Sequence, residues 1–327
     1  MIKSNTGMMI IHGDNASILN DIINYMSRQH GQARNDFNDK FYTPQDTVNQ
    51  LLNMVSKLYP LDSFDTIIEP SAGDGAILKP LETRLDAIDY KGTIHAYDLI
   101  PEADGIQRMN WLERRDENGD ESNGIMYYNK CDKKTAFGRN SLVIGNPPFG
   151  RNGSLALKFI NESASFARVI AFIVPLSFMK ASRQNSIDEW FHVDACEKVV
   201  DDAYILPDGN TRVVPTCILI LSRQNEPRVI ETNECMVPFE FCGYDDDPDW
   251  MIVRVGGRAG TLLPLTDATE TNRKYNYFIR LTDSNVDIER IMTLAKPLLD
   301  EQRDKTTGSR SLSKTEIKQA VHAVMNN

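Results

Sequence analysis

A chain of 327 residues that is 41% hydrophobic, 25% charged and 8% aromatic has a globular composition, which excludes disordered, collagen-like and disulfide-scaffold classes. Its length calls for one large domain and a smaller second one. The formal charge of −10, from 36 basic and 46 acidic residues, requires any polyanionic partner to meet a local basic face. The cysteines, Cys131, Cys196, Cys217, Cys235 and Cys242, are odd in number and widely spaced, and the five histidines contain no His-x-x-x-His pair. A zinc ribbon, a disulfide framework and a metal enzyme are therefore not expected.

In chain order, Met1–Asn15 shows neither a basic leader nor a small-residue cleavage site, so a cytoplasmic location is expected. Residues 1–40 read as an N-terminal extension whose polar end, Ser27–Lys40, is expected to be a mobile surface segment. Thr43 can cap a helix with Pro44 at its first position, and Val48, Leu51, Leu52, Val55 and Leu58 recur at helical spacing. Strands are predicted at Thr66–Glu69, Thr93–Asp98, Ile125–Tyr128, Ser141–Gly145, Val169–Pro175 and Thr216–Ser222. Helices are predicted near Ile77–Leu85, Ser154–Ala167 and Arg183–Phe191. This alternation predicts a doubly wound, mostly parallel α/β sheet. Lys198–Val200 and Thr216–Ser222, joined by the polar loop Leu206–Arg212, are expected to close it antiparallel. Apolar runs at Val169–Phe178 and Val213–Leu221 are shorter than the roughly 20 residues of a membrane span, so no membrane partner is expected. After a linker at Asn225–Pro227 come strands at Val237–Phe241 and Met251–Val255, a glycine-rich turn at Gly256–Gly260, and a final helix opened by a Ser313/Glu316 capping box.

Three local patterns carry chemistry. Glu69-Pro70-Ser71-Ala72-Gly73-Asp74-Gly75 follows a strand and opens a helix, where glycines let the backbone turn tightly toward a ligand; a plain structural turn is the competing reading. Asp98 ends the next strand, where a carboxylate can accept from both ribose hydroxyls of an adenosine-containing cofactor or, alternatively, cap its own turn. Asn146-Pro147-Pro148-Phe149 directly follows the apolar strand Leu142–Ile144, and two consecutive prolines hold that edge rigid.

On these residues the chain resembles the amino-group methyltransferases that use S-adenosyl-L-methionine, of the adenine-N6 nucleic-acid type whose signature is Asn/Asp-Pro-Pro-Tyr/Phe. Phe41-Tyr42-Thr43-Pro44 ahead of the glycine loop resembles the methionine-contacting motif of the group whose recognition domain comes last. The later Val174-Pro175-Leu176-Ser177-Phe178 also falls in the family order, and the resemblance covers about Phe41 to Arg223. It implies a seven-stranded Rossmann-like methyltransferase sheet with an antiparallel closing strand over residues 41–224, and a smaller β-rich recognition or accessory region over 225–327. It implies cofactor contacts at Tyr42, Thr43, Pro44, Glu69, Ser71, Ala72, Gly73, Gly75, Asp98 and Asn146. The family's Asp after the third strand has two candidates here, Asn129 and Asp132, with Asp132 preferred.

The resemblance implies DNA methylation at adenine N6. An exocyclic amino group is a poor nucleophile because its lone pair is delocalised into the ring. Accepting its two N–H hydrogens on the Asn146 side-chain oxygen and the Pro147 carbonyl would concentrate that lone pair toward the methyl donor. Pro148 and Phe149 would meet an adenine flipped out of the duplex; Phe149 would stack on it, unless buried in the core, with Tyr204 as candidate for the opposite face. Arg151, Arg212, Arg254 and Arg258 are candidates for a basic rim, each competing with the reading of a solvated surface arginine. Alternative readings are an RNA adenine-N6 methyltransferase, a protein glutamine-N5 methyltransferase, and a non-catalytic cofactor-binding scaffold within a restriction or viral assembly.

Overall fold

A computed structural model of the chain describes residues 42–112, 140–200, 203–205, 209–230, 235–283, 285–306 and 309–326. The N-terminal extension, Phe41, the strand expected at Ile125–Tyr128, Asn129, Cys131 and the candidate Asp132 lie outside the described residues.

Within the compact unit Phe41–Asn327, the first sheet has strands β1 (Thr66–Glu69), β2 (Thr93–Asp98), β3 (Gln107–Arg108), β4 (Ser141–Gly145), β5 (Val169–Pro175), β6 (Phe191–Lys198) and β9 (Thr216–Arg223). A separate hairpin pairs β7 (Ala203–Ile205) with β8 (Thr211–Val213). The seven-stranded order is β3-β2-β1-β4-β5-β9-β6, and β9 alone runs antiparallel to its neighbours β5 and β6. The helices around it are α1 (Gln45–Leu58), α2 (Leu78–Ala87), α3 (Ser154–Ala164) and the single turn α4 (Ala181–Gln184).

Strand β5 explains why the sheet is wound on both faces. All seven of its residues are buried, and successive side chains enter opposite layers. Ile170, Phe172 and Val174 join Ala156, Phe159 and Ile160 of α3, whereas Val169, Ala171 and Ile173 join Val48, Leu51, Leu52 and Val55 of α1. Parallel pairing sets Ile68 beside Val143, so the carboxyl ends of β1 and β4, and the loops that leave them, come out side by side.

The helix expected over Arg183–Phe191 is a correction: helical structure stops at Gln184, and β6 already begins at Phe191. Asp188 makes the turn, its carboxylate accepting from the Trp190 amide and its carbonyl from the Phe191 amide. Phe191 and Val193 then point into the same core layer, the period of a strand.

A second sheet orders β10 (Phe239–Cys242), β11 (Trp250–Val253), β12 (Leu262–Pro264) and β13 (Asn276–Leu281) as β10-β13-β11-β12, all antiparallel. Two helices, α5 (Ile288–Asp304) and α6 (Lys314–Met325), cover one face and bury Phe239, Ile252 and Ile279 against Met292, Leu299, Ile317 and Val321. The β-rich region therefore carries two helices beside its four strands, and α5, which sequence reading missed, starts where Asp287 accepts from the Arg290 amide. The capping box of α6 forms, with Ser313 and Glu316 each accepting from the other's backbone N–H.

Candidate functional site

Four segments meet at the carboxyl edge of β4, β1 and β2. After β1 the backbone turns through Gly73 at φ +53° and Gly75 at φ +81°, left-handed values that a side chain would resist, and a Cβ on Gly73 would meet nothing within 4 Å. The Ala72 amide donates to the Tyr97 carbonyl at 2.8 Å, holding this turn against β2. Asp98 then accepts from the Gly73 amide on one carboxylate oxygen and from the Ile100 amide on the other, both at 2.8 Å. The turn-capping reading of Asp98 is thus realised, and the residue it braces is the open glycine.

Gly145 at the end of β4 is pressed against the first loop: a Cβ there would lie 3.4 Å from Pro70 Cδ and 3.7 Å from Glu69 Cγ. Asn146 follows directly. Its Nδ2 donates to the Thr43 hydroxyl at 2.9 Å, which leaves Oδ1 buried with no hydrogen-bond partner. Thr43 does not cap α1 as expected; Pro44 occupies the N-cap position without a side-chain bond, and the Thr43 hydroxyl is turned to Asn146 instead. Beside it the Tyr42 hydroxyl donates to Glu102 at 3.0 Å, and the Glu102 amide donates to the Gly73 carbonyl at 3.0 Å. Burial and the Glu102 carboxylate hold the Tyr42 phenol above its ordinary pKa. Together these bonds tie the Tyr42-Thr43-Pro44 segment to both motif loops, and Glu102 is a participant that sequence reading missed because nothing local marks it.

Two further polar groups in the first loop are buried without partners, Glu69 Oε2 and Ser71 Oγ. Glu69 is 1% exposed, and burial, with Asp98, Asp74 and Glu82 adding repulsion, pushes its carboxyl up to about 8. It is therefore largely neutral at pH 7. A buried acid among other acids favours the arrival of a cation.

The aromatic pair is arranged otherwise than expected. Tyr204 is fully buried, its hydroxyl shares a 2.9 Å hydrogen bond with Thr216 Oγ1, and its ring meets Phe149 at 89° with centroids 6.5 Å apart. A base sandwich needs two parallel open faces. This edge-to-face contact provides none, so Tyr204 supports Phe149 and is not the second face. Phe149 is itself 8% exposed and packs in the core layer of Ile144 and Tyr204, the buried position weighed against stacking. Pro147 is buried and Pro148 half-buried.

Of the rim candidates, Arg151 lies in the turn after Phe149, and Arg212 pairs in register with Tyr204 on the β7–β8 hairpin; both are exposed. Arg258 is exposed in the second sheet's region, before β12, and the Arg254 guanidinium lies over the Tyr277 ring at 5.6 Å. Among the described residues, no cluster of three or more His, Cys, Asp or Glu could hold a metal ion, and no helix is long and apolar enough to cross a membrane.

No family model matches the chain, and no curated protein matches it. Among solved structures it is similar to a putative class I S-adenosylmethionine-dependent methyltransferase from Listeria monocytogenes, at 12% identity over 66% of this chain and 72% of that one, with a TM-score of 0.40. A putative RNA methyltransferase from Pyrococcus horikoshii is 14% identical over 56% of this chain and 87% of that one, with a TM-score of 0.37. The methyltransferase subunit of a type I restriction-modification system from Streptococcus thermophilus is 14% identical over 57% and 45% respectively, with a TM-score of 0.35. Likeness this distant leaves the activity to be argued from the chain's own residues.

Proposed function

We propose that this chain transfers a methyl group from S-adenosyl-L-methionine to the N6 amino group of adenine in DNA. The observation that carries the reading is the state of Asn146: its amide nitrogen is committed to Thr43, so its oxygen is a fixed, buried acceptor without a donor. A buried acceptor left unmade costs about 1–3 kcal/mol, and a substrate N–H recovers that cost only when it arrives.

The residues present fit the cofactor. The open Gly73 turn allows close approach of a ligand to backbone, Ser71 Oγ is an unpartnered polar group beside it, and the acidic setting of Glu69 suits a ligand carrying sulfonium and ammonium charge. Ala72, Gly73, Gly75 and Asp98 would form the wall of that site, with Tyr42, Thr43 and Pro44 closing its far side. When bound, the cofactor supplies an electrophilic methyl group on a charged sulfur. Asn146 Oδ1 and the Pro147 carbonyl would take the two N–H hydrogens of the acceptor, drawing its lone pair out of the ring. Both acceptors are neutral, so neither must remove a proton before transfer; the amine becomes acidic only after it has gained the methyl. Pro147 and Pro148 keep these acceptors from moving, which makes positioning the main contribution to rate. Arg151, Arg212 and Arg258 would meet phosphates, offsetting locally the formal charge of −10. Residues 41–224 would then hold the chemistry and 225–327 would contact the nucleic acid.

Tritiated methyl transfer onto duplex DNA, RNA and a glutamine-bearing protein tests the reading. Label on DNA adenine is expected. Label on RNA or on protein glutamine would replace DNA by that acceptor, and no label on any of them would reduce the chain to a scaffold.

A further inference from the structure

The loop that follows β5 is held from the C-terminal side by a buried ion pair. Lys180 and Glu316 are 6% and 2% exposed, and Lys180 Nζ donates to Glu316 Oε2 at 3.2 Å and to the Ser311 carbonyl at 2.9 Å. Ser182 donates its hydroxyl to Glu316 Oε1 at 3.1 Å, and the Ser313 amide donates to Oε2 at 2.9 Å. One carboxylate in α6 therefore satisfies the capping box of its own helix and two side chains of the first sheet's α4 turn. A buried ion pair adds little stability over an apolar pair of the same size, so its presence calls for a role in specifying geometry.

What lies beyond the pair supplies that role. In α4 the Arg183 guanidinium donates to the Asn152 carbonyl at 2.5 Å and lies 5.9 Å over the Phe178 ring. Asn152 belongs to the turn that continues the Asn146–Phe149 loop, and it holds a left-handed φ of +54° between Gly150 at +64° and Gly153 at +76°. Only Asn152 in that group carries a side chain, so its backbone needs an external hold. Phe178 closes the other side: a Cβ on Gly153 would come within 3.1 Å of its ring. The same turn delivers the Leu155 and Ala156 amides to the Phe149 carbonyl at 3.1 and 3.4 Å, which fixes the loop to the start of α3.

We propose that Arg183 is a positioning residue for the Asn146–Phe149 loop, and that α6 sets it through Glu316, Lys180 and Ser182. The kinetic part of this inference rests on the role given to Asn146 above; the mechanical part does not. The C-terminal region is then a structural component of the site as well as a contact surface. The side-chain hydrogen bonds of Lys180, Ser182 and Arg183 run to Ser311, Glu316 and Asn152 and not to the Gly73 turn, so cofactor affinity should be spared.

The test combines hydrogen exchange of the Leu155 and Ala156 amides in the full chain, S-adenosylmethionine binding by calorimetry, and turnover on the acceptor found above. Arg183→Met is expected to speed exchange at both amides about tenfold and lower kcat about tenfold, with cofactor affinity changed less than about twofold. Arg183→Lys, which can still donate to Asn152, should recover most of both effects. The double variant Lys180→Met/Glu316→Leu replaces the ion pair by apolar side chains of similar size, and should speed the same two amides while β5 stays protected. Wild-type exchange at both amides in either folded variant overturns the proposal, as does cofactor affinity falling in step with kcat. A wild-type chain that methylates no acceptor, while exchange responds as stated, would remove the functional reading and leave the linkage standing.

Discussion

Glu69 at the end of β1 and Glu316 in the first turn of α6 are 1% and 2% exposed, yet their surroundings are opposite. Glu316 accepts from Lys180, Ser182 and the Ser313 amide. Glu69 has an unpartnered Oε2 and three acidic neighbours, Asp98, Asp74 and Glu82. The first carboxylate is complete without a ligand and serves geometry. The second is held as an acid beside a glycine turn with open space, the condition of a group whose partner is not part of the chain. Buried polarity of equal depth thus separates a fixed joint from the site proposed to receive the cofactor.

The sharpest way to break that contrast is through pH. Because the folded chain holds the Glu69 proton more tightly than the unfolded chain does, its contribution to stability is full below pH 4.5 and is lost as pH rises to about 8. Denaturant titration should show unfolding free energy falling across that window by roughly 5 kcal/mol at most, at about 1.4 kcal/mol per pH unit. Glu69→Gln should remove the slope; a slope that persists would assign it to other groups. Next in size, Asn146→Ala should lower methyl transfer by about a thousandfold while cofactor affinity stays within a few-fold, read by single-turnover label transfer and calorimetry. Retained turnover would take the acceptor role from Asn146. Asp98→Ala should weaken cofactor binding by about thirtyfold, since it removes the carboxylate that braces Gly73. Unchanged affinity would leave Asp98 as a turn cap alone.

What was legible in the sequence follows from how local each signal is. The glycine turn and the Asn146–Phe149 loop could be placed at strand ends because Gly and Pro fix backbone shape where they stand, and the α6 capping box is written within four residues. Thr43 was misread for the same reason: locally it is an N-cap, and only the tertiary fold brings Asn146 within 2.9 Å to claim its hydroxyl. Tyr204 looked available because no pattern within the chain segment reveals that Thr216 would take its phenol inside the core. The Lys180–Glu316 pair joins positions 136 residues apart, a separation at which single-sequence reading has no signal. Pro297 interrupts the pattern of α5 and hides it, and Ile187 and Phe191 lie four residues apart, a helical spacing that carries the reading of α4 past its true end although Phe191 already opens β6.

In the proposed mechanism Thr43 fixes the Asn146 amide so that its oxygen is the acceptor. Single-turnover methyl transfer by Thr43→Val, beside Thr43→Ser, tests this most directly. At saturating cofactor, about a tenfold slower transfer is expected for Thr43→Val and a near wild-type rate for Thr43→Ser, which keeps the hydroxyl. A wild-type rate in Thr43→Val would contradict it.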